Sequence, residues 1–191
     1  MTENRTRTHG RVLVRPAHTG DREAFLDLRS SSGRFLTKWE PSAGKDSKGR
    51  DHDEVLFERM FDLDGGRRKP LLVVRKEDEK PLGVININEI SRGVFQNCAL
   101  GWWIGREHAG QGYMHEGLAA TLSHVFLDLG LHRAEANIQP ENTPSTSLAE
   151  RVGMVLEGRS ERYLKIRGRW RDHERWAITI ETWRRSRQKG D

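Results

Sequence analysis

CALGWWIGREHAGQGYMHEGLAATLSHVFLDL, residues 98 to 129, reads as a strand, a glycine turn and a helix. From Cys98 to Ile104 the residues are apolar or small and give way to Gly105, the pattern of a buried strand. Leu118, Leu122, Val125 and Leu129 share one face of a helix. Between them lies Ala109-Gly110-Gln111-Gly112-Tyr113-Met114. Its glycines let the backbone turn tightly and leave amide hydrogens uncovered, and the first turn of the helix adds free N–H groups at the positive end of its dipole. The first function this stretch suggests is therefore a site for phosphate or pyrophosphate.

Upstream, Leu71 to Arg75 and Pro81 to Ile90 read as strands joined by the charged turn Lys76 to Lys80. In the second, Val84, Ile85 and Ile87 are apolar while Asn86, Asn88 and Glu89 are polar. With the strand at 98 to 104 they predict an antiparallel meander. Earlier still, Val12-Leu13-Val14 predicts a strand stopped before Pro16, and Thr19-Gly20-Asp21 supplies caps for a helix over Arg22 to Arg29. Ser30 to Arg50 is less regular, anchored by Phe35, Leu36 and Trp39, closed by Glu40-Pro41 and followed by a loop from Ser42. Asp51 and Glu54 predict a reciprocal cap for a helix with the stripe Leu56, Met60 and Leu63.

Downstream, the helix after Gly112 crosses to a strand over Ala134 to Gln139. Thr143 is expected to cap a helix with Pro144 in its first turn and Gly153 at its end. Val155 to Glu157, Arg162 to Ile166 and Trp170 to Ile180 read as closing strands, the last two joined by a hairpin at Arg167-Gly168. The order β-α-α-β-β-β-α-β-α-β-β defines a mixed α/β (α+β) fold with one crossover at the glycine turn. No internal repeat or low-complexity tract interrupts it.

The chain of 191 residues suits one well-buried domain. Residues 1 to 10 are expected to be a flexible N-terminus, 11 to 183 the domain, and 184 to 191 a basic tail. Hydrophobic residues are only 35% of the chain, but they come in periodic clusters, as in a folded protein with a very polar surface. MTENRTRTHG has no apolar signal core and no apolar run reaches membrane length, so a cytoplasmic protein with no membrane partner is expected. The single cysteine, Cys98, excludes an internal disulfide and a thiolate zinc site, and its apolar strand makes it a buried thiol. The net charge of +5, from 33 basic and 28 acidic residues, is concentrated at Trp183 to Lys189. A solvated tail explains this run; a weak ribosome or RNA contact is the functional alternative.

Gly-x-Gly alone is weak evidence for a ligand. Gly112-Tyr113-Met114 lacks the Lys-Ser/Thr of a Walker loop, and the spacing is not that of a dinucleotide fingerprint. No metal constellation emerges from His108, His115, His124, His132 and His173, and no Ser-centred nucleophile elbow is present, so covalent catalysis is not indicated. Direct transfer from a thioester to an amine asks less. A carboxylate takes the amine proton directly or through water, a hydroxyl protonates the leaving thiolate, and a backbone N–H polarises the carbonyl. Glu89 and Glu135 are the candidate bases, and Ser145 and Tyr113 the candidate acids; each also fits a plain strand or helix position. Asn142 is placed to bridge a strand end to a ligand.

With these residues on the page, the sequence resembles the GNAT acyltransferase superfamily, and within it the RimJ/RimL type of protein N-terminal acetyltransferase. The resemblance spans residues 11 to 181 and rests on the order of FLTKWEP (35 to 41), RGVFQNCALGWWIG (92 to 105), GQGYMHEGL (110 to 118), LGLHRAEANIQPENTPS (129 to 145) and GRSERYLKIRGRWRDHERWAI (158 to 178). It implies a central, mostly antiparallel sheet splayed at an acetyl-CoA site and flanked by helices. It implies acetyl-CoA as co-substrate, with pyrophosphate over the amides of Gly110, Gln111, Gly112, Tyr113 and Met114 and pantetheine beside Trp103 and Ile104. Asn142 matches a cofactor-contacting position, and Ser145 one proposed to act on the departing thiol. The implied acceptor is the α-amine of a protein, Ala or Ser first, typically ribosomal, with no metal required and a monomer or homodimer as the assembly. Ala109 and Met114 depart from the usual ends of the glycine motif, and Ala99 stands where many RimJ-like sequences have Glu, so Glu89 is taken as catalytic base from its location alone. A small-molecule amine acetyltransferase and a non-catalytic CoA-binding or ribosome-assembly module are the alternatives.

Overall fold

A computed structural model describes residues 6–40 and 51–188. Residues 1–5, 41–50 and 189–191, among them Pro41 and the loop expected from Ser42, lie outside the described residues.

In chain order, β1 (Arg7–His9) and β2 (Val12–Arg15) form a hairpin, followed by α1 (Arg22–Leu36) and α2 (His52–Glu58). The meander is β3 (Lys69–Arg75), β4 (Pro81–Ser91) and β5 (Asn97–Ile104). α3 (Tyr113–Ser123) runs on into one π-helical turn, His124–Asp128, and leads to β6 (Arg133–Ile138) and α4 (Thr143–Arg151). β7 (Val155–Ile166), β8 (Arg169–Thr179) and α5 (Ile180–Gln188) close the chain.

Several elements differ from the sequence reading, each for a tertiary reason. Arg7–His9 is a strand where a flexible end was expected, because it pairs with β2 and Arg7 donates to both oxygens of Asp128 at 2.6 and 2.8 Å. α1 continues through Ser30-Ser31-Ser32-Gly33 to Leu36 despite poor helix formers. Burial carries it: Arg29, Ser32 and Leu36 are enclosed, and the Arg106 N–H donates to Ser32 Oγ at 3.0 Å. Asp51 caps α2 by accepting from the Asp53 N–H, but Glu54 pairs with Arg22 and does not reach back to the cap. Asn142, not Thr143, is the N-cap of α4. Residues 155–166 are one strand with two register shifts. Much of the basic tail is helix α5, anchored by buried Trp183 against Phe126 at 5.3 Å. Arg167 and Gly168 both have positive φ, as a two-residue hairpin turn needs.

The sheet has eight strands in the order β1-β2-β3-β4-β5-β6-β8-β7. Every neighbouring pair is antiparallel except β5 and β6. That parallel pairing covers only Asn97, Cys98 and Ala99 against Arg133, Ala134 and Glu135. Beyond Ala99, β5 pairs only with β4 and β6 only with β8, so the sheet splays. Both faces are covered. Leu71, Val73, Ile85, Ile87, Cys98 and Leu100 pack under Leu118, Leu122 and Val125 of α3 and its continuation, whereas Leu72, Val74 and Val84 meet Phe25, Phe57 and Met60 of the α1–α2 layer. Side chains alternate between the two cores with the period of a strand. α3 lies close because residue 117 is glycine: a Cβ there would stand 3.0 Å from Val73. Among the described residues no helix is long and apolar enough to cross a membrane.

Candidate active site

The glycine turn places α3 at the mouth of the splay. Gly110 and Gly112 have φ of 74° and 86°, and Gly112 is the helix N-cap in the left-handed conformation. No side chain caps this end, so the first-turn N–H groups and the helix dipole face outward, as an anionic ligand requires. Arg11 pins the turn from behind. Its guanidinium donates to the Gln111 carbonyl at 2.7 Å and to Glu116 at 2.6 and 2.8 Å, and lies 4.3 Å from the centre of the Tyr113 ring.

A cavity of about 720 Å³ starts at this turn and runs along the splay to the α1–α2 layer. On the turn side it is lined by Trp102, Trp103, Ile104, Gly110, Gly112 and Met114, and across the gap by Asn142, Ser145 and Leu148 of the α4 region. Its far wall holds Phe25, Phe35, Trp39, Glu40 and Leu56, with Asn86 and Asn88 on the floor. The geometry suits an elongated ligand with an anionic end at α3, together with a second reactant at the far wall.

The structure gathers most of the sequence-based candidates. Trp103, Ile104, Gly110, Gly112, Met114, Asn142 and Ser145 line the cavity. Asn142 Oδ1 accepts from the Ser145 N–H at 3.4 Å, so its side chain is used as a helix cap. The Ser145 hydroxyl has no protein partner among the described residues and is available to a ligand. Gln111 and Tyr113 do not line the cavity. The Gln111 amide turns back to the Glu107 carbonyl at 2.6 Å, and the buried Tyr113 ring sits under Arg11 with His108 at its edge, 6.3 Å away. Tyr113 is thus not disposed as an acid.

Glu89 is not brought to the cleft. In β4, Val84, Asn86 and Asn88 face the cavity, so Glu89 has the parity of Ile85 and Ile87. A bulge between Asn88 and Ser91, with Glu89 at φ 50°, puts Ile90 into the core and turns Glu89 out to Arg67 at 3.1 Å, its side chain 71% exposed. Glu135 does not line the cavity either, and it accepts from Arg133 at 2.7 Å. Cys98 is fully buried, and burial pushes its thiol up to about 12, so it stays protonated.

His108 and His115, which flank the glycine turn and in sequence fit either a cleft wall or exposed polar positions, both line the cavity; burial lowers the His108 pKa, with Glu107 opposing, which keeps the ring neutral at neutral pH. Arg29 is enclosed in α1, donates to both oxygens of Glu40, and shares Asp53. Burial opposes its charge, but the two carboxylates more than offset this and raise its pKa. The spacing of Arg29 and Glu40 carried no signal; the strand parity of Asn86 and Asn88 did.

A family model described as Acetyltransferase (GNAT) domain matches residues 11–155. The chain is 30% identical over 190 residues to the [Ribosomal protein uS5]-alanine N-acetyltransferase of Escherichia coli K12, covering 92% of this chain and 91% of that protein. The structure of Mycobacterium smegmatis RimJ in complex with CoA-disulfide superposes with a TM-score of 0.82 at 32% identity, over 97% of this chain and 92% of that one. The ribosomal-protein-S5-alanine acetyltransferase of Vibrio fischeri has the same fold, with a TM-score of 0.80 at 24% identity over 94% and 99% of the two chains.

Proposed function

The chain belongs to the GNAT acetyltransferase family, on its RimJ/RimL-type branch, and from that premise we propose that it moves an acetyl group from acetyl-CoA to the N-terminal α-amine of a protein, with Ala or Ser first and a ribosomal protein as the typical acceptor. The observation that carries this reading is the cavity, which joins the anion-competent glycine turn to a far wall across the splayed strands. The donor fits the turn side: Gly110 to Met114 offer uncovered backbone N–H groups, and no Cβ crowds Gly110. The edge of β5 beyond Ala99 has lost its partner strand, leaving backbone groups for the pantetheine amides and the thioester carbonyl. The acceptor enters at the far wall.

The acceptor nitrogen, neutral at the moment of attack, forms a bond to the thioester carbon while the C–S bond breaks. One proton leaves the nitrogen and one arrives at sulfur. Ser145 is assigned the second transfer, because its hydroxyl lines the cavity without a protein partner. An α-amine has a pKa of about 7.7–8.0, so water or the neutral His108 ring suffices to take the first proton near neutral pH. No buried carboxylate base is needed, which fits the outward position of Glu89.

The test is to incubate the protein with acetyl-CoA and a peptide that begins with Ala or Ser and has an internal Lys, then localise the acetyl group by tandem mass spectrometry. Modification of the α-nitrogen alone is expected. Acetylation confined to Lys, or to polyamines added in competition, would overturn the α-amine assignment.

A further inference from the structure

Glu40 is the one carboxylate among the described residues that line the cavity. It is held in place. The Arg29 guanidinium, 2% exposed, donates to its two oxygens at 2.6 and 2.9 Å, while Arg29 Nε donates to Asp53 at 2.9 Å. Arg29 also lies 5.0 Å from the centre of the Trp103 ring, which ties this cluster to the end of β5 where the sheet splays. One guanidinium between two carboxylates leaves a surplus of one negative charge. No second cation touches either carboxylate among the described residues, while Asp53 stands in the first turn of α2, where the helix dipole offsets its charge, and His52, Arg59 and Arg68 line the same cavity as Glu40. Only Glu40 of the pair lines the cavity; Asp53 does not. A carboxylate has about four lone-pair sites and the fork of Arg29 takes two, so acceptor capacity remains. Phe35, Trp39 and Trp103 line the same cavity, with Lys38 over the Trp39 ring at 4.3 Å.

We propose that Glu40 is an acceptor-binding residue that receives the ammonium form of the incoming amine, with Arg29 as the positioning residue that fixes its orientation. The assignment rests on the acetyl-transfer reading above and adds the group that recognises the charged acceptor before it loses its proton.

Steady-state kinetics of the full chain at saturating acetyl-CoA test this with Glu40→Gln and Asp53→Asn. Each removes one carboxylate charge from Arg29, but only the first changes the cavity. Glu40→Gln is expected to raise the acceptor KM by about 10- to 100-fold, the worth of one hydrogen bond to a charged group, with the acetyl-CoA KM within about twofold. It should also move the pH dependence of kcat to lower pH, because the bound ammonium is no longer stabilised. Asp53→Asn should leave the acceptor KM within about threefold. Equal increases in both variants, or none in either, would overturn the proposal. Should Glu40→Gln fail to fold, the wild-type protein decides: an acceptor peptide dimethylated at its α-nitrogen, still cationic, should inhibit at least about tenfold more strongly than its N-acetylated copy. Equal inhibition would overturn the proposal. If the acceptor proves to be a small amine, the peptide reading fails, and the same comparison of variants on that amine decides Glu40. Peptide turnover with unchanged KM in both variants sinks Glu40 alone, and no turnover of any amine sinks both.

Discussion

Ser145 and Cys98 show how environment decides the chemistry of small side chains. Ser145 sits in the first turn of α4, its N–H held by Asn142 and its hydroxyl left to the cavity. Ser145→Ala should lower kcat by about 100-fold and leave the acetyl-CoA KM nearly unchanged, measured by thiol release at saturating acceptor. Cys98, with its pKa pushed up to about 12 by burial, should resist an aromatic disulfide reagent in the native protein at pH 8 and react promptly in denaturant. Rapid native labelling would contradict its place in the core. The helix start at Pro144 was legible in the sequence as local chemistry, but its cap was read one residue late, at Thr143 instead of Asn142. Glu89 was misplaced because its orientation depends on a bulge, which composition does not reveal, although its odd parity against Asn86 and Asn88 pointed away from the cavity. Glu40 stayed hidden because its significance comes from Arg29, eleven positions earlier on another element.

At the scale of elements, the glycine turn and α1 are the two parts on which the site depends. The turn could be read from sequence, since Gly110 and Gly112 stand between a strand pattern and a helix pattern and both take positive φ. Gly112→Ala forces a Cβ into the left-handed region, at 3.3 Å from the Arg11 guanidinium. A strain of about 1–2 kcal/mol is expected, and titration calorimetry should show CoA binding weakened by about tenfold, each 1.4 kcal/mol being worth one power of ten. Unchanged affinity would mean that the turn does not hold the ligand. α1 was cut short in the sequence reading because three serines and a glycine follow Arg29, and burial overrides their propensity. Arg29→Met leaves Glu40 and Asp53 facing each other without a cation and should cost about 3–5 kcal/mol in a denaturant melt. A loss under about 1 kcal/mol would show that the enclosed ion cluster does not support the α1–α2 layer.

For the whole molecule, the splay between β5 and β6 turns an otherwise continuous sheet into an enzyme site. The meander, the crossover and the two-faced core follow from strand and helix periodicity, so the fold class was legible. The edge strand β1 and helix α5 were not, because long-range partners hold them: Asp128 for Arg7 and Phe126 for Trp183. Asp128 also sets an acid limit. Hydrogen bonds from Arg7 hold its carboxyl well below the ordinary value of 3.8. Its stabilising contribution is present above that value and is lost as pH falls further, so the thermal midpoint should drop below about pH 4 and less steeply in Asp128→Asn. Identical acid profiles would remove Asp128 from that role. The most direct measurement of the central claim is thiol release from acetyl-CoA on short peptides that begin with Ala, Ser, Met or Gly, each paired with an N-terminally blocked copy containing Lys. Turnover on the unblocked Ala or Ser peptides and none on the blocked copies is the predicted result. CoA binding with no turnover on any peptide, or equal turnover on the blocked copies, would contradict an α-amine acetyltransferase.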